Sequence, residues 1–147
     1  MPPIQALNPI TRTDFQALSR LRIREAEVLL ANECFEGAFY LAGYAVECGL
    51  KACICAAQVP GHFPPKPDVA TKMYSHRLPD LLGLSGLETM LAQDRRANPS
   101  LDASWGAALT WSEQSRYAMP GQTEAQALYD AVADPRYGVL EWLARHW

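Results

Sequence analysis

Residues 33–58 read ECFEGAFYLAGYAVECGLKACICAAQ, and this stretch decides the fold. It is apolar almost all round, the mark of a helix at the centre of a bundle. Ala38, Ala42, Ala45, Gly49, Ala52 and Ala56 recur at three- and four-residue spacing and form a ridge of small residues. Glycine inside a helix costs roughly 1 kcal/mol relative to alanine, so Gly43 and Gly49 point to close approach by neighbouring helices. A different face carries the polarity. Tyr40, Tyr44, Glu47 and Lys51 stand at i, i+4, i+7 and i+11 and stack along one stripe. Glu47 and Lys51 pair in the favourable order, acid first. The stretch has the length of a membrane span, but these two charges one turn apart in its middle predict a buried core helix instead.

Working outward, Thr11 or Thr13 caps a preceding helix that runs to about residue 32, with Asp14 placed for the helix dipole. Phe15, Leu18, Ile23, Ala26, Leu29 and Leu30 share one side of it, and Arg22 falls inside that apolar arc. An arginine so placed snorkels or pairs with a buried carboxylate. Downstream, Pro60, Gly61, Pro64, Pro65 and Pro67 predict a Pro-rich loop over 59–74. A third helix starts near Ser75 and runs to about 84, with Pro79 in its first turn. Ser85 and Glu88 read as a capping box for a short helix ending near Asp94. Asn98-Pro99 turns into a fifth helix over about 101–111, followed by a connector over 112–122. Thr123 caps the last helical region, which Asp134-Pro135 either interrupts or kinks. No stretch alternates at strand period. The expectation is one all-α domain over 1–147, an up-and-down helical bundle of five to six helices behind an irregular leader over 1–11.

The bulk properties agree with that. A chain of 147 residues, 49% hydrophobic and 20% charged, has the composition of a globular domain with its own core. The formal net charge of -3 argues against strong non-specific nucleic-acid binding, which depends on lysines and arginines neutralising phosphates. Residues 1–8 hold Pro2 and Pro3 and no apolar run of signal-peptide type. The expectation is a cytoplasmic protein, with no membrane partner. Cys34, Cys48, Cys53 and Cys55 lack the spacing of a zinc site. They read as reduced thiols acting as small hydrophobes, with no metal and no cofactor expected.

Few residues offer chemistry. There is no Gly-rich phosphate loop and no H-E-x-x-H. His76 follows Tyr74-Ser75 at a helix start, His62 lies in the Pro-rich loop, and His146 is penultimate, where an imidazolium suits a helix C-terminus. Arg116-Tyr117 follows the anchors Trp105 and Trp111. That pair suits stacking on a base or clamping a phosphate; the alternative is that Arg116 closes a buried ion pair with Glu47. Arg20, Arg22 and Arg24 are diluted by Glu25 and Glu27, and Arg95-Arg96 favours a helix C-terminus.

The run from Glu36 through Tyr40, Tyr44, Glu47 and Lys51 to Ala52 resembles the second-helix signature of prokaryotic HEPN domains. Tyr74-Ser75-His76 with Leu78, Leu81 and Leu82 is similar to the family as well. So are Trp111-Ser112-Glu113-Gln114-Ser115-Arg116-Tyr117 and Gly138-Val139-Leu140-Glu141-Trp142-Leu143, in the same order. The resemblance implies a helical bundle that forms a homodimer, often beside a minimal nucleotidyltransferase in a toxin–antitoxin pair. Many members are metal-independent ribonucleases with Arg, four to six residues, then His. That motif is absent here. The positions five to seven before His62 are Cys55, Ala56 and Ala57; before His76, Val69, Ala70 and Thr71; before His146, Val139, Leu140 and Glu141. Arg116 is followed at that distance by Gly121, Gln122 and Thr123.

Three readings follow. The first is a non-catalytic binding or partner module that takes a nucleotide, an RNA segment or a nucleotidyltransferase on the face of Tyr40, Tyr44, Glu47, Lys51, His76, Arg116 and Tyr117. The second is a diverged metal-independent endoribonuclease in which His76 is the general acid/base and Arg116 stabilises the phosphorane. The third is a purely structural dimerising bundle whose polar stripe is a satisfied core network.

Overall fold

The computed structural model describes residues 1–5, 10–58 and 67–147. Among them the chain forms eight α-helices and one 3₁₀ helix, and no strand. The all-helical class read from the sequence is the one observed, with more and shorter helices than five or six.

Helix α1 (Arg12–Ala31) starts at Thr11, whose hydroxyl accepts from the Asp14 N–H while the Asp14 carboxylate accepts from the Thr11 N–H. It ends in a Schellman turn: the Cys34 N–H donates to Leu29 C=O and the Glu33 N–H to Leu30 C=O. Glu33 takes the left-handed conformation, φ 59°, so the second helix starts two residues later than the sequence suggested. That helix, α2 (Phe35–Ala57), is the core element. By length and composition it could cross a membrane, yet 67% of its most apolar window is buried inside the fold.

The ridge on α2 does what its spacing implies. Ala38, Ala42, Ala45, Gly49 and Ala52 are buried, and the Ser19 hydroxyl of α1 donates to the Ala45 carbonyl at 2.7 Å. A Cβ at Gly49 would meet Leu143 Cδ1 at 2.9 Å and Ser19 Oγ at 3.4 Å. Gly43 serves another neighbour: a Cβ there would overlap the Trp111 indole.

Residues 67–74 depart from the expected loop, because Pro67–Met73 forms α3. The rest of that loop, with His62, lies outside the described residues. Helix α4 (Leu78–Ser85) has Pro79 in its first turn as expected, but Ser75 stands outside it and its hydroxyl accepts from the Arg77 N–H. Ser85 closes α4 rather than capping α5 (Glu88–Ala97): its hydroxyl donates to Leu82 C=O, and Gly86 at φ 75° ends the helix. Asn98 caps α6 (Pro99–Ala108) by accepting from the Ser100 and Leu101 N–H groups. The 3₁₀ helix η1 (Glu113–Tyr117) occupies the connector. Helix α7 (Gln122–Ala133) is capped at Gly121 by the Glu124 carboxylate, two residues before the expected Thr123. Asp134 does not open a helix at Pro135. Its carboxylate accepts from the Arg136 and Tyr137 N–H groups, and α8 (Val139–Ala144) starts after Gly138.

Around α2 pack α1, α4, α7, α8 and η1. Trp105 and Trp142, both buried, meet edge to face at 5.6 Å, among Leu50, Ile54, Leu78, Leu81, Leu140 and Leu143. The polar stripe of α2 faces residues 74–77 and η1, and that placement builds the site.

Candidate functional site at the polar stripe of the central helix

Glu47 is 1% exposed. A carboxylate so deep must be paired and hydrogen-bonded. Its Oε1 accepts from Lys51 Nζ at 3.0 Å, the i, i+4 pair expected from the sequence. The same oxygen lies 2.6 Å from His76 Nδ1. Since an ionised carboxylate only accepts, Nδ1 carries the hydrogen and the ring is held in one orientation. Nε2 then points away from Glu47, 3.6 Å from Glu113 Oε2, and the His76 side chain is 48% exposed.

Beside this cluster, Tyr40 and Tyr44 stack with centroids 6.1 Å apart and 5° between planes. Tyr40 also rests against Trp111 at 6.0 Å. Arg22 lies over the Tyr44 ring at 5.9 Å and holds Glu25 at 2.7 Å. The arginine on the apolar arc of α1 thus pairs with a part-exposed carboxylate and an aromatic face, not with Glu47. Burial, followed by the nearby Cys48 and Glu47, pushes the Tyr44 phenol above its ordinary value, so it remains a neutral donor.

Arg116 and Tyr117 are exposed on η1, with the guanidinium 5.0 Å from the Tyr117 centroid. No Arg116–Glu47 ion pair forms; His76 takes the place the sequence offered to Arg116. Arg116 follows Glu113, the residue facing His76, by three positions on η1. The structure therefore brings Tyr40, Tyr44, Glu47, Lys51 and His76 together, and places Arg116 and Tyr117 on the adjoining exposed turn. Sequence reasoning missed Glu113, Trp111 and Arg22 as members of this face. The signal for Glu113 was its three-residue spacing from Arg116.

The remaining candidates lead elsewhere. The four cysteines are free. Burial pushes the Cys48 thiol up to about 11 and the Cys53 thiol up to about 12, so neither supplies a thiolate near neutrality. His146 packs at a tilt against Trp142 with centroids 4.4 Å apart, and burial holds it below its ordinary value. That runs against the expected imidazolium at a helix end. Among the described residues no group of three His, Cys, Asp or Glu side chains is arranged to hold a metal ion. The chain matches no family model, no curated protein and no solved structure.

Proposed function

We propose that this chain is a HEPN-type binding or partner module that takes a nucleotide or an RNA segment on the Glu47 face without a catalytic step of its own. The observation that carries this reading is the double use of Glu47 Oε1, which fixes Lys51 Nζ and His76 Nδ1 beside a stacked tyrosine pair. Fixed donors next to aromatic faces suit a ligand with both phosphate and planar base. Arg116, exposed and free of any ion pair among the described residues, supplies the uncompensated charge. The resemblance to HEPN domains also supports a homodimer and a nucleotidyltransferase partner. The apolar groove between α1 and α2, where Leu21 and Val28 are 45% and 57% exposed, is suited to such protein contacts.

Fluorescence anisotropy with labelled single-stranded RNA and with nucleoside triphosphates tests the reading. Arg116→Ala should abolish binding with the melting temperature unchanged, because Arg116 supports nothing in the fold. Unchanged affinity in Arg116→Ala and Lys51→Met would remove this face from the function.

One observation favours a second reading, a diverged metal-independent endoribonuclease. Glu47 orients His76 as a carboxylate orients a catalytic imidazole, with the half-exposed ring's Nε2 on the side of Glu113. RNA cleavage in EDTA that disappears in both His76→Ala and Arg116→Ala would establish it. No cleavage above the level of those variants leaves the binding reading in place.

A further inference from the structure

The clearest unassigned feature lies away from the Glu47 face, where the 134–138 turn, the end of α8 and the start of α6 meet. A recess of about 100 Å³ opens there, lined by Asn98, Arg136, Tyr137, Trp142 and Arg145 among others. At ~30 Å³ per water molecule in the liquid, it has room for about three waters. That suits one tetrahedral oxyanion and is too small for a nucleobase.

Its charge is unusual. Three carboxylates on the adjoining elements already have donors. Asp94 accepts from Trp142 Nε1 at 2.8 Å, Asp102 from Arg95 Nε at 2.7 Å, and Asp134 from the Arg136 and Tyr137 N–H groups. Arg136 sits close enough to help hold the Asp134 carboxyl below its ordinary value, but neither Arg136 nor Arg145 forms an ion pair among the described residues. Arg136 and Arg145 thus both line one small recess, and neither is ion-paired to a carboxylate among the described residues. The first N–H groups of α6 take no part, since Asn98 Oδ1 occupies them. The donors available are the Arg136 and Arg145 guanidiniums and the Tyr137 hydroxyl.

We propose that this recess binds a single phosphate group, with Arg136 and Arg145 as its two charged walls. Paired guanidiniums suit it because each presents a planar fork that matches two phosphate oxygens. The group is either free phosphate or the 5′-phosphate of a nucleotide whose remainder stays in solvent. The site shares no residue with the Glu47 face and stands or falls independently of it.

Isothermal titration of the full chain with inorganic phosphate, and separately with a nucleoside 5′-monophosphate, tests this. Saturable binding is expected, weakened about tenfold or more in Arg136→Ala and in Arg145→Ala, as loss of a charge-assisted contact implies. Lys substitutions should recover part of it by keeping the charge and losing the fork. Both arginines are exposed, and unchanged thermal melting checks that the variants fold. Tighter binding of the monophosphate assigns the nucleotide as the source; equal binding assigns free phosphate. No saturation with either, or equal binding by the Arg136→Ala/Arg145→Ala double variant, overturns the proposal.

Discussion

His76, on the segment between α3 and α4, reaches Glu47 on α2 with 2.6 Å between Nδ1 and Oε1. The two residues are 29 positions apart, so this contact ties the 74–77 segment to the central helix. Glu47 is almost completely buried, whereas its partners are graded: the Lys51 side chain is 13% exposed and that of His76 48%. The lysine is therefore the partner that most relieves the buried charge, and the histidine is the one presented outward.

Unequal costs follow for the two partners. Lys51→Met keeps the aliphatic stem and leaves the Glu47 carboxylate with the imidazole alone. Breaking a buried pair on one side costs about 3 kcal/mol or more. His76→Ala removes one hydrogen bond to a charged group that keeps its lysine, a loss of about 1.5 kcal/mol. Urea unfolding of both variants checks the order. A larger loss in His76→Ala would make the histidine the principal counter-ion and the outward-facing role secondary.

Backbone positions give a second set of expectations with opposite signs. Gly43→Ala gains helix propensity of about 1 kcal/mol, but its methyl would enter the Trp111 ring. Overpacking of that kind costs about 1–3 kcal/mol, so a net loss is expected, with a change in tryptophan emission. Replacing Trp111 by Leu in the same chain should return the alanine to a benefit. Gly106, in α6, has nothing within 4 Å of an added Cβ, and Gly106→Ala should stabilise by about 0.5–1 kcal/mol. Glu33→Gly should stabilise as well, since φ 59° is a conformation that glycine adopts without penalty.

Trp142 supplies a third test. Its Nε1 donates to Asp94 Oδ2 at 2.8 Å, from a side chain 2% exposed at the α5–α8 contact. Asp94→Ala strands that N–H and should cost about 1–3 kcal/mol. Asp94→Asn keeps an acceptor and should cost less. Chemical denaturation followed by tryptophan fluorescence distinguishes the two, and equal losses would mean that the carboxylate's charge, not its hydrogen bond, holds the indole.

The parts of this structure legible in the sequence are those governed by helix period. The α2 ridge, the Tyr40–Tyr44–Glu47–Lys51 stripe and the Glu47–Lys51 pair all follow from 3.6 residues per turn. What the period cannot carry is partner choice across the fold. Arg116 and His76 were both cations or potential cations placed after Glu47 in sequence. The choice between them is made by η1, which turns Glu113 toward His76 and leaves Arg116 in solvent. Helix ends were the other blind spot, because capping side chains have competing local uses. Ser85 bonds backward within α4, and Asp134 closes a turn on Arg136 and Tyr137 where it was expected to open a helix. Gly138 fits that turn because a Cβ there would overlap the Asp134 backbone.

The buried thiols make the fold sensitive to alkali. Cys48 and Cys53 are held up to about 11 and about 12, mainly by burial, whereas an unfolded cysteine ionises near ~8.5. Between those values the unfolded chain has lost a proton that the folded chain still holds, so stability falls as pH rises. The contribution is complete below about pH 8.5 and declines by up to about 1.4 kcal/mol per pH unit for each thiol until the folded thiol itself ionises. Urea midpoints measured from pH 7 to pH 10.5 should fall, and the fall should be shallower in Cys53→Ala, although that variant starts from a lower stability. The same burial orders reactivity. Cys34 is exposed while Cys48 and Cys53 are buried, so in the native protein at neutral pH a thiol-labelling reagent should modify Cys34 first, with the buried pair reacting only on unfolding. Fast labelling of Cys48 would mean that the face lined by Tyr44 and Glu47 opens in solution.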